Sequence, residues 1–171
     1  MACRPSLMYR SARIYNAAIW TIHRYRRYRE VAEAIGHKRR VLDVGCGTGP
    51  LARFLCECNS YVGWDLNPHF IAYGRRRGLC VLPVDVSGLQ AFPEEFDVIV
   101  AIDIEHHIHP RRLPEDARLV SHEPHGGRPD WAPVGLHRWF DRVFGDNDGI
   151  NDFDERMEWE PSARLREVPG E

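Results

Sequence analysis

The chain has 171 residues, of which 43% are hydrophobic and 28% are charged, and its net charge is −2. These values are typical of one globular domain, and they argue against a nucleic-acid-binding protein that relies on bulk charge. No apolar run reaches the roughly 18 residues of a membrane span, and the first residues lack the apolar core of a secretory signal, so we expect a cytoplasmic protein.

The first predicted element is a helix over residues 14–35, where apolar residues recur at helical spacing and Gly36 supplies the stop. Residues 1–40 carry ten Arg or Lys against two Glu, a net charge of +8, and the acidic residues 145–171 offer an intramolecular partner for it. Most arginines of the helix are expected on a solvated face, with RNA phosphates or an anionic membrane surface as alternatives. The arginines in question are Arg24, Arg26, Arg27 and Arg29.

Strands and helices then alternate along the chain. Asn67 and Pro68 begin one helix, with the proline in its first turn, and Gly78 ends it. The alternation indicates a parallel sheet, and we predict an α/β fold with a Rossmann-like, doubly wound, mostly parallel sheet in three layers. Apolar runs predict strands at residues 41–44, 61–65, 80–84, 96–102 and 118–122, and a further helix at residues 51–58.

Cysteine is present five times, and an odd number does not suggest a disulfide framework. Cys56 and Cys58 have the spacing C-x-C, and no second pair completes a zinc site. We therefore expect reduced thiols and no metal.

A glycine-rich turn follows the first strand in the segment VLDVGCGTGP. Gly45, Gly47 and Gly49 have no side chains, so a ligand can approach the backbone closely at this turn. The helix expected after the turn would present unpaired N–H groups at the same place. In an open α/β sheet, ligands bind beyond the carboxyl ends of the strands, so a nucleotide-like ligand is expected here. Pro50 stands where the third glycine of a dinucleotide fingerprint would be, which weakens a nicotinamide-dependent oxidoreductase as an alternative.

The segment VLDVGCGTG resembles motif I of the class I S-adenosylmethionine-dependent methyltransferases, in the small-molecule, type 11-like group. The resemblance extends to about residue 125. It implies that S-adenosyl-L-methionine is the cofactor and that Asp65, 16 residues after Gly49, binds both ribose hydroxyls. A carboxylate with two acceptor oxygens suits a vicinal diol.

The same resemblance assigns further residues. Asp85 would face the adenine amino group, Val86 would offer its backbone N–H to the ring, and Ile102 would line the methionine end. Asp103 and His107 match a D-x-x-x-H pattern that the family often shows after its fourth strand. The implied cofactor site consists of Asp43, Gly45, Cys46, Gly47, Gly49, Asp65, Leu66, Asp85, Val86 and Ile102.

Histidines cluster after the fourth and fifth strands, and His107 is the candidate general base. Methyl transfer from a sulfonium is an in-line displacement with a good leaving group, so positioning can supply most of the catalysis without a base. A metal site in this cluster has no recognised ligand spacing.

The sequence departs from the family pattern in its second half. About ten residues separate His107 from Arg118, fewer than a parallel crossover generally needs, so the helix between these strands is expected to be short, distorted or absent. The last residues, RLREVPGE, resemble the start of a family element that stops early. We therefore expect a compact or truncated single domain, with an N-terminal helical lid (1–38), a cofactor-binding core (39–125) and an irregular C-terminal segment (126–171).

These observations lead to one main hypothesis for the function, S-adenosylmethionine-dependent methyl transfer to a small-molecule acceptor. Tyr15, Trp20, Tyr25 and Tyr28 of the lid would suit an apolar substrate wall. One alternative is a non-catalytic cofactor-binding or interaction protein with a degenerate methyltransferase fold. The other is an RNA methyltransferase that uses the basic N-terminal helix. The oligomeric state is not predicted.

Overall fold

The computed structural model describes residues 6–86, 92–104, 117–122 and 166–169. Within these ranges six strands form one sheet in the order β3-β2-β1-β4-β5-β6. Strands β1 to β5 are parallel, and β6 pairs antiparallel with β5. The strands are β1 (Arg40–Val44), β2 (Ser60–Asp65), β3 (Val81–Pro83), β4 (Val98–Ile102), β5 (Arg118–His122) and β6 (Arg166–Pro169).

The predicted strands and their parallel arrangement are confirmed. The apolar strands β1 and β4 lie side by side in the centre, where both faces of the sheet are covered. Pro83 ends β3, an edge strand, where a residue without an N–H donor costs no ladder hydrogen bond. The strand order reverses between β1 and β4, which makes the carboxyl ends of these two strands the expected ligand position.

The single helix predicted over residues 14–35 is wrong, because the structure has two helices, α1 (Ala12–His23) and α2 (Arg26–Ile35). Arg24 and Tyr25 between them have left-handed φ angles of 45° and 57°. Apolar spacing continues through this two-residue break, so periodicity does not show it. The break turns α2 onto the sheet, where Tyr25 packs against Phe54 with ring centroids 5.9 Å apart.

The helix predicted over residues 51–58 is also wrong. Only one 3₁₀ turn forms, over Leu51–Arg53, and the chain then turns again at residues 56–59. By contrast, the helix after β2 forms as predicted, as α3 (Pro68–Arg76). The Asn67 side chain accepts a hydrogen bond from the His69 N–H and caps its first turn, and Gly78 has the left-handed φ of 81° that follows its end.

Two apolar clusters cover the two faces of the sheet. Helix α2 packs over one face, where Val31 and Ile35 meet Val41 and Val100. The other face is covered by a cluster in which Leu42 and Ile99 are fully buried. The helical layer predicted on that face, and the connection expected to be short between β4 and β5, fall outside the residues described.

Two further features differ from the sequence prediction. Strand β6 lies in the segment predicted to be irregular, and it completes the edge of the sheet beside β5. Cys56 and Cys58 form a disulfide, so the prediction of reduced thiols is wrong for this pair. The turn over these residues brings their Cα atoms to 5.2 Å, within the range of about 4.4–6.8 Å that a disulfide can bridge. None of the helices in the described ranges has the length and apolarity needed to cross a bilayer.

Candidate functional site

The loop after β1 is built on three left-handed glycines. Gly45, Gly47 and Gly49 have φ angles of 65°, 57° and 73°, a region that costs other residues roughly 1–2 kcal/mol each. The Gly49 N–H donates to the Cys46 carbonyl at 2.9 Å, which closes a tight turn, and the Cys46 N–H donates to the Trp64 carbonyl at 2.9 Å, which ties the loop to β2. The glycine-rich loop predicted from the sequence therefore forms, and backbone hydrogen bonds hold it in place.

Each loop glycine faces a side chain from another element. A Cβ added to Gly47 would lie 2.8 Å from the Tyr15 hydroxyl, and one added to Gly45 or Gly49 would collide with Ile104 or Leu79 respectively. Tyr15 was expected in the lid, but nothing in the sequence marked Ile104 or Leu79 as neighbours of the loop. Their positions depend on how the strands are ordered in the sheet.

We predict that Gly47→Ala destabilises the protein more than Gly78→Ala does. Both positions have left-handed φ, so both variants have backbone strain, but the added methyl group at Gly78 has nothing within 4 Å. Gly47→Ala should lower the free energy of unfolding by about 1–3 kcal/mol more than Gly78→Ala, because its methyl group collides with Tyr15. Urea unfolding of both variants measures the difference. Equal losses would contradict the close contact at Gly47.

Asp65 lies at the end of β2 and its carboxylate holds two backbone N–H groups. Oδ2 accepts from the Gly47 N–H and Oδ1 accepts from the Asn67 N–H, each at 2.7 Å. The side chain thus joins the glycine loop to the start of α3. A carboxylate presents about four acceptor positions, so the same group can also accept from hydroxyl groups of a ligand.

Asp43 lies beneath the loop and is 2% exposed. The Tyr61 hydroxyl donates to its Oδ2 at 2.8 Å. Burial raises the pKa of Asp43 to about 7; the Tyr61 hydrogen bond opposes this shift and the neighbouring Asp65 charge adds to it. The site therefore contains a carboxyl group that changes its charge near neutral pH.

We predict that this raised pKa makes the protein less stable as pH rises. The unfolded Asp43 has a pKa near 3.8 and the folded one about 7, so the folded state holds an extra proton between these values. The stabilisation is complete below about pH 4 and is lost as pH rises to about 7, with a size on the order of 2–4 kcal/mol. Urea unfolding at pH 5 and pH 8 measures it, and Asp43→Asn, which has no proton to lose, should show a smaller decrease.

The other predicted site residues differ in how they face the loop. The Cys46 side chain is 4% exposed and points toward Gly63, so only its backbone is available to a ligand. Asp85 is exposed and Val86 is half-buried after β3, while Ile102 is 8% exposed in the core under α2. Leu66 is half-buried beside Asp65. The candidate base, His107, lies outside the described residues.

An ion pair near the loop joins a buried arginine to a half-buried carboxylate, and the sequence did not indicate it. Arg27 is 8% exposed and pairs with Asp103, which follows β4 with a left-handed φ of 59°. The guanidinium also lies 5.2 Å from the centre of the Tyr28 ring. Arg24, Arg26 and Arg29 are exposed as predicted, so Arg27 alone among the four turns inward. Within α2, Arg27 lies on the same buried face as Tyr28, Val31 and Ile35.

The N-terminal segment is tied to the site by side chains. The Thr48 hydroxyl donates to the Asn16 side chain at 2.7 Å, and the Asn67 side chain donates to the Tyr9 carbonyl at 2.7 Å. Tyr15 stacks near Phe70 of α3 with centroids 4.5 Å apart. Of the lid aromatics predicted as a substrate wall, Tyr15 meets the loop, whereas Trp20 is 61% exposed and Tyr28 is buried in the core.

Known proteins resemble the central part of this chain. Residues 41–121 match the family model described as a methyltransferase domain. The chain is 32% identical over 121 residues to trans-aconitate 2-methyltransferase of Mycobacterium marinum. That alignment covers 66% of this chain and 43% of the relative, so the chain spans less than half the length of the curated relatives that it matches.

Solved structures share the fold. A TehB-like S-adenosylmethionine-dependent methyltransferase from Corynebacterium glutamicum superposes with a TM-score of 0.53 at 22% identity, over 77% of this chain and 82% of that one. An S-adenosylmethionine-dependent methyltransferase from Methanococcus maripaludis, described as putative, has a TM-score of 0.53 at 15% identity, over 83% and 75%. Both likenesses are below 25% identity, and they show a shared fold. Residues 41–121 are therefore similar to a methyltransferase domain, and the sheet has the fold of these solved methyltransferases.

Proposed function

We propose that this chain binds S-adenosylmethionine at the glycine loop and transfers its methyl group to a small-molecule acceptor. The observation that carries the proposal is the loop itself, in which three left-handed glycines bend the backbone over the Asp65 carboxylate at the carboxyl ends of β1 and β2. Oxygen acceptors at Asp43, Asp65 and Asp85 match the hydroxyl and amino donors of the cofactor. The side chains of this site therefore fit S-adenosylmethionine.

Each residue has a proposed role in holding the cofactor. Asp65 accepts from the ribose hydroxyls, and Asp85 with the Val86 N–H contacts the adenine. Asp43 and the backbone of Gly45, Cys46, Gly47 and Gly49 hold the amino-acid part, with Leu66 and Ile102 as apolar neighbours. Bound S-adenosylmethionine supplies an electrophilic methyl group on a sulfonium.

The chain's own part in the reaction is to position the acceptor and exclude water. Tyr15 lies against Gly47 and is held there by the Asn16–Thr48 contact, so the lid covers the loop. In-line alignment can supply most of the rate, and His107 is proposed as a base for acceptors that must lose a proton. We also propose the division into lid (1–38), core (39–125) and C-terminal segment (126–171).

The relatives indicate the acceptor to test first. Their named substrate is trans-aconitate, and we propose a small organic acid of this kind as the acceptor. The RNA alternative has less support, because Arg27 is buried and Arg26 pairs with Glu30, which leaves a smaller basic face than the sequence indicated.

The test has two steps, binding and turnover. Calorimetric titration with S-adenosylhomocysteine, with NAD as a control ligand, measures the site. Mass spectrometry then detects methylated product after incubation with S-adenosylmethionine and trans-aconitate. Product formation supports the full proposal. Binding without product across a panel of organic acids supports a non-catalytic cofactor-binding protein. No binding by a folded chain contradicts the enzyme proposal and leaves the interaction protein as the alternative.

A further inference from the structure

A cluster of metal-ligating side chains lies at the amino edge of the sheet, opposite the glycine loop. His37 precedes β1, and Cys56 and Cys58 precede β2. Their ligand atoms all lie within 4.8 Å of one another, and the His37 Nδ1 is 3.8 Å from the Cys58 Sγ. We propose that His37, Cys56 and Cys58, once the cysteines are reduced, form a binding site for a thiophilic divalent cation, Zn²⁺.

The distances suit a single ion. Zn–S bonds of about 2.3 Å and Zn–N bonds of about 2.0 Å at tetrahedral angles place two sulfurs about 3.8 Å apart and a nitrogen about 3.5 Å from each sulfur. The His37–Cys58 separation of 3.8 Å is near that value. Reduction of the disulfide frees the two sulfurs to separate by the amount an ion between them requires.

The backbone holds the loop that carries His37 beside the loop that carries the two cysteines. Gly36 and Lys38 on either side of His37 have left-handed φ angles of 75° and 55°, which turn the loop toward the cysteines. The Asn59 side chain joins the two loops, because it donates to the Gly36 carbonyl at 2.9 Å and accepts from the Arg39 N–H at 2.8 Å. Because β1 and β2 are paired neighbours, the two loops are held at a fixed separation.

Hydrogen bonds favour the ligating form of the cysteines. The Lys38 N–H donates to the Cys58 Sγ at 3.3 Å, and the Cys58 N–H donates to the Cys56 Sγ at 3.2 Å. Such donors suit sulfur as a metal ligand, because a metal-bound thiolate carries a charge that N–H groups stabilise. His37 and Cys58 are exposed and Cys56 is half-buried, so a water molecule can reach the fourth position.

The balance of the reaction is simple. Reduction of the Cys56–Cys58 disulfide takes two electrons from the reductant, either two thiols that supply the two protons and become a disulfide, or a phosphine that becomes a phosphine oxide while water supplies the two protons and the oxygen. Binding of Zn²⁺ by the resulting dithiol releases the two thiol protons. The disulfide form is therefore the state that does not bind metal, and the site is open only under reducing conditions.

The test uses the full chain, reduced with a phosphine and freed of metal with a chelator. A thiol assay first confirms that all five cysteines of the sequence are reduced. Titration with Co²⁺, a spectroscopic substitute for Zn²⁺, should then produce thiolate charge-transfer and tetrahedral visible bands at one equivalent, and added Zn²⁺ should abolish them.

Two ligand variants and one control make the result specific. Cys58→Ser and His37→Ala should weaken Co²⁺ binding at least about 100-fold, since loss of even an outer-shell partner costs 10–100-fold. Cys80→Ser removes an exposed free thiol outside the cluster and should leave binding unchanged. Circular dichroism confirms that the variants fold. Absence of the thiolate band in the fully reduced chain, or equal binding by Cys58→Ser, would overturn the proposal.

Discussion

Asp65→Ala is expected to lower the affinity for S-adenosylhomocysteine by 100-fold or more. In the proposed site the carboxylate accepts from both ribose hydroxyls, and each hydrogen bond to a charged group contributes about 1.5–3 kcal/mol. The variant also leaves the Gly47 and Asn67 N–H groups without the acceptor that shapes the loop. Calorimetric titration measures the change in the dissociation constant.

Asp97→Ala is the matched control for this prediction. Asp97 also accepts a hydrogen bond from a backbone N–H, that of Arg40 at 2.8 Å, but it lies at the amino edge of the sheet. Its removal costs comparable local hydrogen bonding without touching the proposed site, so binding should be unchanged. Asp65→Asn, which keeps one acceptor oxygen, should fall between wild type and Asp65→Ala. If Asp65→Ala binds as tightly as Asp97→Ala, the cofactor lies elsewhere.

Arg27→Met is expected to cause the largest loss of stability. The substitution keeps most of the apolar stem but leaves the Asp103 carboxylate without its buried cation. Removing one partner of a fully buried pair typically costs about 3–5 kcal/mol. Because the Asp103 side chain is 25% exposed, we expect the lower end, about 3 kcal/mol, which corresponds to a decrease in Tm of about 6–12 °C for a chain of this size. Thermal unfolding followed by circular dichroism gives the value.

Arg26→Met offers a matched control one residue earlier. The Arg26 side chain is 84% exposed and pairs with Glu30 within α2, so its replacement should leave Tm nearly unchanged. The double variant Arg27→Met with Asp103→Asn should recover part of the loss, because the second substitution removes the charge that Arg27 neutralises. A similar Tm for the Arg26 and Arg27 variants would show that Arg27 is not buried in solution.

Several features were predictable because the signals that specify them are local. The apolar run before Gly45 predicts β1, and the Asn67–Pro68 pair predicts the start of α3, since capping and proline geometry act within a few residues. The order of strands and helices along the chain was sufficient to predict a parallel sheet. The positions of Asp43 and Asp65 at strand ends followed from the same pattern.

Other features required contacts between distant segments. The failed helix at residues 51–58 shows this, because apolar residues there pack onto α2 without forming regular turns, and the loop turns toward His37 instead. The burial of Arg27 likewise depends on a distant partner, because Asp103 after β4 pairs with it. Sequence composition alone would assign that arginine to a charged face in water.

The sequence by itself therefore determined the sheet class, the glycine loop and the acidic residues beside it, since each depends on local backbone preference and burial pattern. Only the tertiary structure decided which side chains cover the loop, how far burial raises the pKa of Asp43, and which histidine meets the paired cysteines. These properties depend on the packing of residues far apart in the chain, and packing is set by the whole fold.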